Sequence, residues 1–182
     1  MPRRHDPERR ERLVDAAIRV VGAGGIGALS HRAVAAEADV PLGSTTYHFA
    51  TLDDLLLEAM RRASRTWLDD MAAWERGVDP GRPLADELAR LVGESLAGDR
   101  GRLELEYELY LAALRRPAVR PVAAACVEEM VALMRRRVPD EGTARALVAL
   151  IDGLLLQYLL SGRPFDRDEV RAALEARVPG PA

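Results

Sequence analysis

From Leu13 to Leu174 the apolar residues of this chain recur at intervals of three and four, which sets them on one side of helix after helix. Leu13, Ala16, Ala17, Val20 and Val21 make one such stripe, and Leu56, Met60, Ala63, Trp67, Met71 and Trp74 a longer one. A period of two appears once, from Leu103 to Leu111. A lone strand has no neighbour for its backbone groups. Because Leu103, Tyr107, Tyr110, Leu111 and Leu114 also form a helical stripe, a helix is expected there. The pattern predicts an all-α chain of about nine helices.

Turn-forming residues divide the pattern. Asp6-Pro7 supplies a cap and a first-turn proline for a helix that Gly22, Gly24, Gly25 and Gly27 end. Ser30 caps a second helix, running to about Ala38, with Val34 stapled back onto Leu29. Asp39 suits a turn position of positive φ, and Pro41 opens a third short helix ending near Phe49. Thr51 with Asp54 has the spacing of a capping box, and a long helix follows to about Trp74. Beyond the loop 77–83, helices are expected over 84–96, 103–114, 122–138, 143–160 and 166–177.

Composition excludes several classes. With 48% hydrophobic and 30% charged residues the chain is neither a disordered tail nor a membrane protein. Its longest apolar run, 144–156, is broken by Arg145, Asp152 and Gly153 and is expected not to span a bilayer. The first residues lack a signal-peptide pattern, so a cytoplasmic location is expected. One cysteine, Cys126, and three scattered histidines, His5, His31 and His48, give no metal site, and no cofactor motif is present. Gly22-x-Gly24-Gly25-x-Gly27 follows a helix rather than a strand, which removes the dinucleotide-binding reading. No catalytic grouping of nucleophile, base and oxyanion donors is visible, and an enzyme is not expected. Net charge is -3, but residues 1–50 hold 7 Arg against 6 acids while 51–182 hold 19 against 23. A slightly basic head on an acidic body suits a DNA reader, although so small an asymmetry decides nothing alone.

Two short helices joined by a tight turn form the commonest helical device for reading DNA. Val34, Ala35, Ala38 and Val40 would lock the pair, and Gly43, Ser44, Thr45 and Thr46 would leave the outer face of the second helix small and polar. Ser30, His31 and Arg32 sit at the start of the first helix, where the Arg32 guanidinium reaches a guanine edge or a phosphate. By spacing alone, other helical hairpins look the same.

The run Leu29-Ser30-His31-Arg32-Ala33-Val34-Ala35-Ala36-Glu37-Ala38-Asp39-Val40-Pro41-Leu42-Gly43-Ser44-Thr45-Thr46-Tyr47-His48-Phe49 resembles the TetR-family signature. The continuation Ala50-Thr51-Leu52-Asp53-Asp54-Leu55-Leu56 resembles that family's entry into its long fourth helix. The resemblance implies that Arg32 reads a base and that Leu42, Gly43, Ser44 and Thr46 face the major groove. It also implies that Tyr47 and His48 hold phosphates and that Phe49 plugs the small domain's core. Arg3 and Arg4 are either a DNA-contacting arm or a frayed terminus. The chain departs from the pattern where Asp39 replaces the turn glycine, Pro41 the cap, Thr45-Thr46 a Leu-Tyr pair, and Leu52 a lysine. Leu52 removes a basic contact from the fourth helix.

The same resemblance divides the chain into a helix-turn-helix DNA-binding domain, 1–50, and a ligand-sensing and dimerisation domain, 51–182. The helix of 143–160 is apolar all round and must be buried on several sides. Leu147, Ile151, Gly153, Leu154, Tyr158, Val170 and Leu174 are the expected homodimer interface. Trp67, Met71, Trp74, Tyr107, Tyr110, Cys126, Met130 and Met134 are candidates for an apolar effector pocket, each equally at home in an ordinary core. Asp152 is either a pocket acid or a satisfied buried carboxylate. The helix from Thr51 is expected to be the sole rod between hairpin and pocket. The function expected is a homodimeric repressor of a palindromic double-stranded DNA operator, released by a small apolar or amphipathic molecule, with no membrane partner. The alternative is an all-helical carrier or protein-interaction module without DNA binding.

Overall fold

The computed structural model describes residues 8–178, and among them every regular element is helical. In order these are α1 (Glu8–Gly24), a 3-10 turn (Ile26–Ala28), α2 (His31–Glu37), α3 (Leu42–His48), α4 (Leu52–Arg76) and α5 (Leu84–Ala97). Then come α6 (Arg100–Ala112), α7 (Arg120–Met134), α8 (Glu141–Ser161) and α9 (Arg167–Glu175). The segment with period two is thus helical, within α6. Asp6-Pro7, Arg3 and Arg4 lie outside the described residues.

Local chemistry explains the boundaries. Gly25, at φ 72°, turns the chain out of α1 as its N–H bonds Val21 O at 2.8 Å. Ser30 Oγ accepts from the Ala33 amide at 3.1 Å, starting α2. Asp39 adopts φ 51° between α2 and α3, as its residue type allows. Thr51 and Asp54 exchange the reciprocal bonds of a capping box, Thr51 N to Asp54 Oδ2 at 3.0 Å and Asp54 N to Thr51 Oγ1 at 3.1 Å.

Contacts divide the chain into two compact units, and neither is a contiguous segment. One holds the residues up to Arg65 together with Glu104–Ala124, the other Thr66–Leu103 together with the residues from Ala125 on. Three short helices cannot bury enough apolar area to stand alone. In the first unit Leu13, Val14, Val34, Phe49, Leu55, Leu56 and Met60 therefore share a core with Leu109, Ala113, Val119 and Ala123. Arg116 pairs with Asp53 at 2.5 Å, and the Ile26 amide donates to Glu108 Oε2 at 3.4 Å. Because α4, α6 and α7 each contribute residues to both units, α4 is not the sole rod, as the sequence suggested.

The second unit is built on α5, which packs against α8 and α9. Leu88, Val92, Leu147, Val148, Val170 and Leu174 form its interior. Two buried carboxylates are held by arginines. Glu87 pairs with Arg90 at 2.6 Å and Arg82 at 3.6 Å, and Glu75 with Arg137 at 2.9 Å and Arg136 at 3.6 Å. Arg137 Nη2 also donates to Glu75 O at 2.6 Å, fastening the end of α4 to the turn that follows α7. Glu75→Ala is expected to cost about 1–2 kcal/mol, since the arginines keep their access to water. A thermal melt unchanged from the parent chain would remove that role.

At 21 residues with mean hydropathy 1.5, α8 is long and apolar enough to cross a bilayer by length and composition. The sequence expectation differed because it ended the apolar run at Leu156, whereas the helix continues to Ser161. One face of α8 (Leu147, Ile151, Leu154, Leu155 and Tyr158) is buried within the second unit.

Candidate nucleic-acid interface

The α2–α3 hairpin is held from beneath and bare above. Val34 and Phe49 are buried in the first unit's core, and the Arg10 guanidinium lies 5.1 Å over the Phe49 ring. Thr45 is fully buried, its Oγ1 donating to Leu42 O at 2.7 Å. This corrects the expectation that Thr45 belongs to the outer face. Helical spacing turns it inward, and its hydroxyl finds a backbone acceptor so that burial leaves nothing unpaired.

The remaining nominated residues fall on or beside the open surface. Tyr47 is 78% exposed and Leu42 47%. Arg32, Gly43 and Thr46 are exposed, and Ser44 and His48 half-buried. A Cβ on Gly43 would meet nothing within 4 Å. The Tyr47 and His48 rings meet edge to face with centroids 5.1 Å apart, an arrangement that steadies two polar tips at the end of α3. Ser30 Oγ is committed to capping α2. His31 is half-buried, and its Nδ1 is buried without a hydrogen-bond partner. A large exposed tyrosine and leucine flanking small polar positions on a short, braced helix fit a major groove, while no demand of the unit's own core explains them.

The candidate effector residues divide between the two units. Tyr107 and Tyr110 belong to the first, Tyr110 being 43% exposed, which takes it off any closed pocket wall. Trp67, Met71, Trp74, Cys126, Met130 and Met134 belong to the second, with Met130 and Met134 buried and the others half-buried. The Trp74 Nε1–H is buried and has no acceptor. Burial pushes the Asp152 carboxyl up to about 6. Among the described residues no cluster of His, Cys, Asp and Glu could hold a metal.

The expected dimer residues need correcting. Leu147, Val170 and Leu174 are completely buried in the single chain, which leaves them no surface to give a partner, while Ile151, Leu154 and Tyr158 keep 8%, 7% and 3% of theirs. A helix apolar on all sides carries no periodic signal to tell its inner face from its outer one. The open face of α8 is instead Ala146, Ala149, Gly153, Gln157 and Leu160, spaced by three and four, with Leu160 79% exposed.

An all-helical chain that presents such a hairpin is a helix-turn-helix DNA-binding protein, and comparison with known proteins agrees. Residues 13–59 match the bacterial regulatory proteins of the tetR family, and residues 79–180 match the tetracyclin repressor-like C-terminal domain. The multidrug binding protein EbrR, solved with imidazole, is 58% identical with a TM-score of 0.88, over 97% of this chain and 98% of that one. A TetR-family member from Streptomyces coelicolor A3 is also 58% identical, with a TM-score of 0.82, over 96% of this chain and 100% of that one. The nicotine-responsive transcriptional repressor HdnoR of Paenarthrobacter nicotinovorans is 26% identical, over 83% of this chain and 84% of that one. The chain belongs to the TetR family and is a DNA-binding transcriptional regulator.

Arg32→Ala is expected to cost about 1–3 kcal/mol of specific DNA binding and to relax the preference at one base pair per half-site. Tyr47→Phe should weaken all sequences alike. Equal losses on specific and random DNA for Arg32→Ala would remove its base-reading role.

Proposed function

We propose that this regulator is a homodimeric repressor that grips a palindromic operator through residues 1–50 and lets go when residues 51–182 bind a small cationic aromatic molecule. The observation that carries the DNA half is the bare outer face of α3, with Tyr47 78% exposed on a helix whose other side is fixed in a core. Pairing two such hairpins doubles the contact and makes the site palindromic. The open face of α8, small at Ala146, Ala149 and Gly153, suits close packing against its copy. Its residues, rather than the buried Leu147, Val170 and Leu174, are assigned to that contact. The regulator acts in the cytoplasm, beside its operator, and performs no catalysis.

The effector class rests on two groups in the second unit. Trp74 carries a buried indole N–H with no acceptor, a cost that persists until something completes its surroundings. Asp152 is a carboxyl disfavoured by burial, which a cation nearby would stabilise. EbrR has been solved with ethidium and with proflavin, at 56% identity to this chain in both cases. Planar cations stack on indole faces and pair with carboxylates. Trp67→Ala or Trp74→Ala should therefore blunt release by ethidium while leaving effector-free DNA affinity unchanged.

Selection of random duplex DNA on the purified chain, followed by ethidium titration of the operator bound by the parent and by the Trp74→Ala chain, the variant correcting for ethidium that enters the duplex itself, tests both halves. Enrichment of a palindrome that ethidium releases is expected. Linkage then requires operator to weaken ethidium binding by the same factor, about 5- to 150-fold for a typical coupling. No enriched palindrome would refute the repressor, and a palindrome indifferent to ethidium would refute the effector class.

A further inference from the structure

Within the second unit, a cleft of about 260 Å³ is walled by the end of α5, the first turn of α6, the end of α8 and the α8–α9 connection. None of the residues assigned to the ethidium-type effector lines it. Tyr158, expected from the sequence at the dimer contact, does.

The walls are chemically specific. Leu96, Leu103 and Leu159 give apolar sides. Tyr158 and Phe165 form an aromatic corner, their centroids 5.8 Å apart and their planes at 57°. The corner exists because residue 93 is glycine, since a Cβ there would lie 2.7 Å from Phe165 Cε1. Phe165 nevertheless stays 36% exposed, so one face of a large ring is left to water. Two guanidinium groups complete the lining, and none of the lining residues is acidic. Arg100 is anchored by an Nη2–H bond to Leu159 O at 3.2 Å. Arg163 lies 4.4 Å over the Tyr158 ring and makes a two-pronged pair with Glu169 at 2.6 and 2.8 Å. The Tyr158 hydroxyl accepts from the Asp166 amide at 3.2 Å, which leaves its own proton to donate.

We propose that this cleft is a second ligand site, which takes a small planar aromatic carboxylate. The ring lies between Phe165 and the leucines, covering the exposed aromatic face. The carboxylate meets Arg100 and Arg163, whose planar forks match it geometrically. The sign of the lining decides the class, because a cation here would face two guanidinium groups with no carboxylate among the walls. Glu169 stands outside the lining and holds Arg163 as an internal competitor, so a bound carboxylate takes over part of that pairing. Neither Trp74 nor Asp152 is among its walls, and the proposal is independent of the repressor reading.

The test is calorimetric titration of the full chain with 2-naphthoate, and with 2-naphthamide as its uncharged counterpart. Saturable binding of 2-naphthoate is expected, with the amide weaker by about tenfold or more, the worth of a charged hydrogen bond. Saturating ethidium should leave it in place. Arg100→Gln should weaken it by a similar factor, and Ala97→Trp, filling the cleft from an exposed wall position, should abolish it. Glu169→Gln should tighten it severalfold by freeing Arg163, a gain that misfolding cannot imitate. Non-saturable binding, equal affinity for the amide, displacement by ethidium, or a Glu169→Gln chain that binds no tighter would each overturn the proposal.

Discussion

Replacing Gly153 by Leu is expected to give a folded monomer whose operator affinity is about 100- to 10,000-fold below that of the parent dimer, the range by which a second linked contact raises binding. A Cβ at residue 153 meets nothing within 4 Å in the single chain, so a side chain can leave the backbone there without a clash in the isolated subunit. Its neighbours on the open face of α8 are Ala146, Ala149, Gln157 and Leu160, all exposed. If that face meets its copy, small residues set the spacing of the two helices, and a leucine at the closest approach forces them apart. The hairpin should keep its fold, because its core draws on Leu13, Val34, Phe49 and Leu109 rather than on α8. Sedimentation velocity reads the association state, and circular dichroism reads the fold. A dimer that survives the substitution would move the interface off this face.

Asp152→Asn is expected to do two opposite things, stabilising the empty protein and weakening the binding of a cationic effector. Burial raises the Asp152 carboxyl from an ordinary 3.8 to about 6. The folded chain therefore keeps a proton that the unfolded chain releases near pH 4. Stability falls as pH rises from about 4 to 6, and the full cost remains above that window. Asparagine never charges, so the variant should be more stable than the parent above pH 6 by about 1–2 kcal/mol, allowing for the side chain's remaining contact with water. The difference should vanish below pH 4. A cation bound beside Asp152 favours the charged form and drives off the proton. Ethidium affinity should thus climb between pH 5 and 7 in the parent chain, stay flat in the variant, and differ by about tenfold or more at pH 7.5. Thermal melts and fluorescence titrations across that range measure both effects. A parallel pH profile in parent and variant would remove Asp152 from the effector site.

Much of the DNA-reading end is legible in the sequence because its determinants are local. The Ser30 cap, the positive φ of Asp39 and the reciprocal Thr51–Asp54 bonds each involve residues at most a few positions apart. Spacing by three and four identified α4 for the same reason, and it outweighed the period-two run inside α6, since no second strand was available to satisfy one.

The amino-acid sequence by itself determined the order of the helices, the caps that start α2 and α4, and the hairpin that marks the family, all features written in neighbouring side chains, whereas α6 and α7 begin and end two to four residues earlier than expected. Only the tertiary structure decided which face of α8 is core, because a helix apolar on every side gives periodicity nothing to resolve. It alone turned Thr45 inward, and it enlisted Leu109, Ala113, Val119 and Ala123 in the first unit's core. Those outcomes depend on what a distant stretch of chain packs against, and burial free energy is indifferent to separation along the sequence.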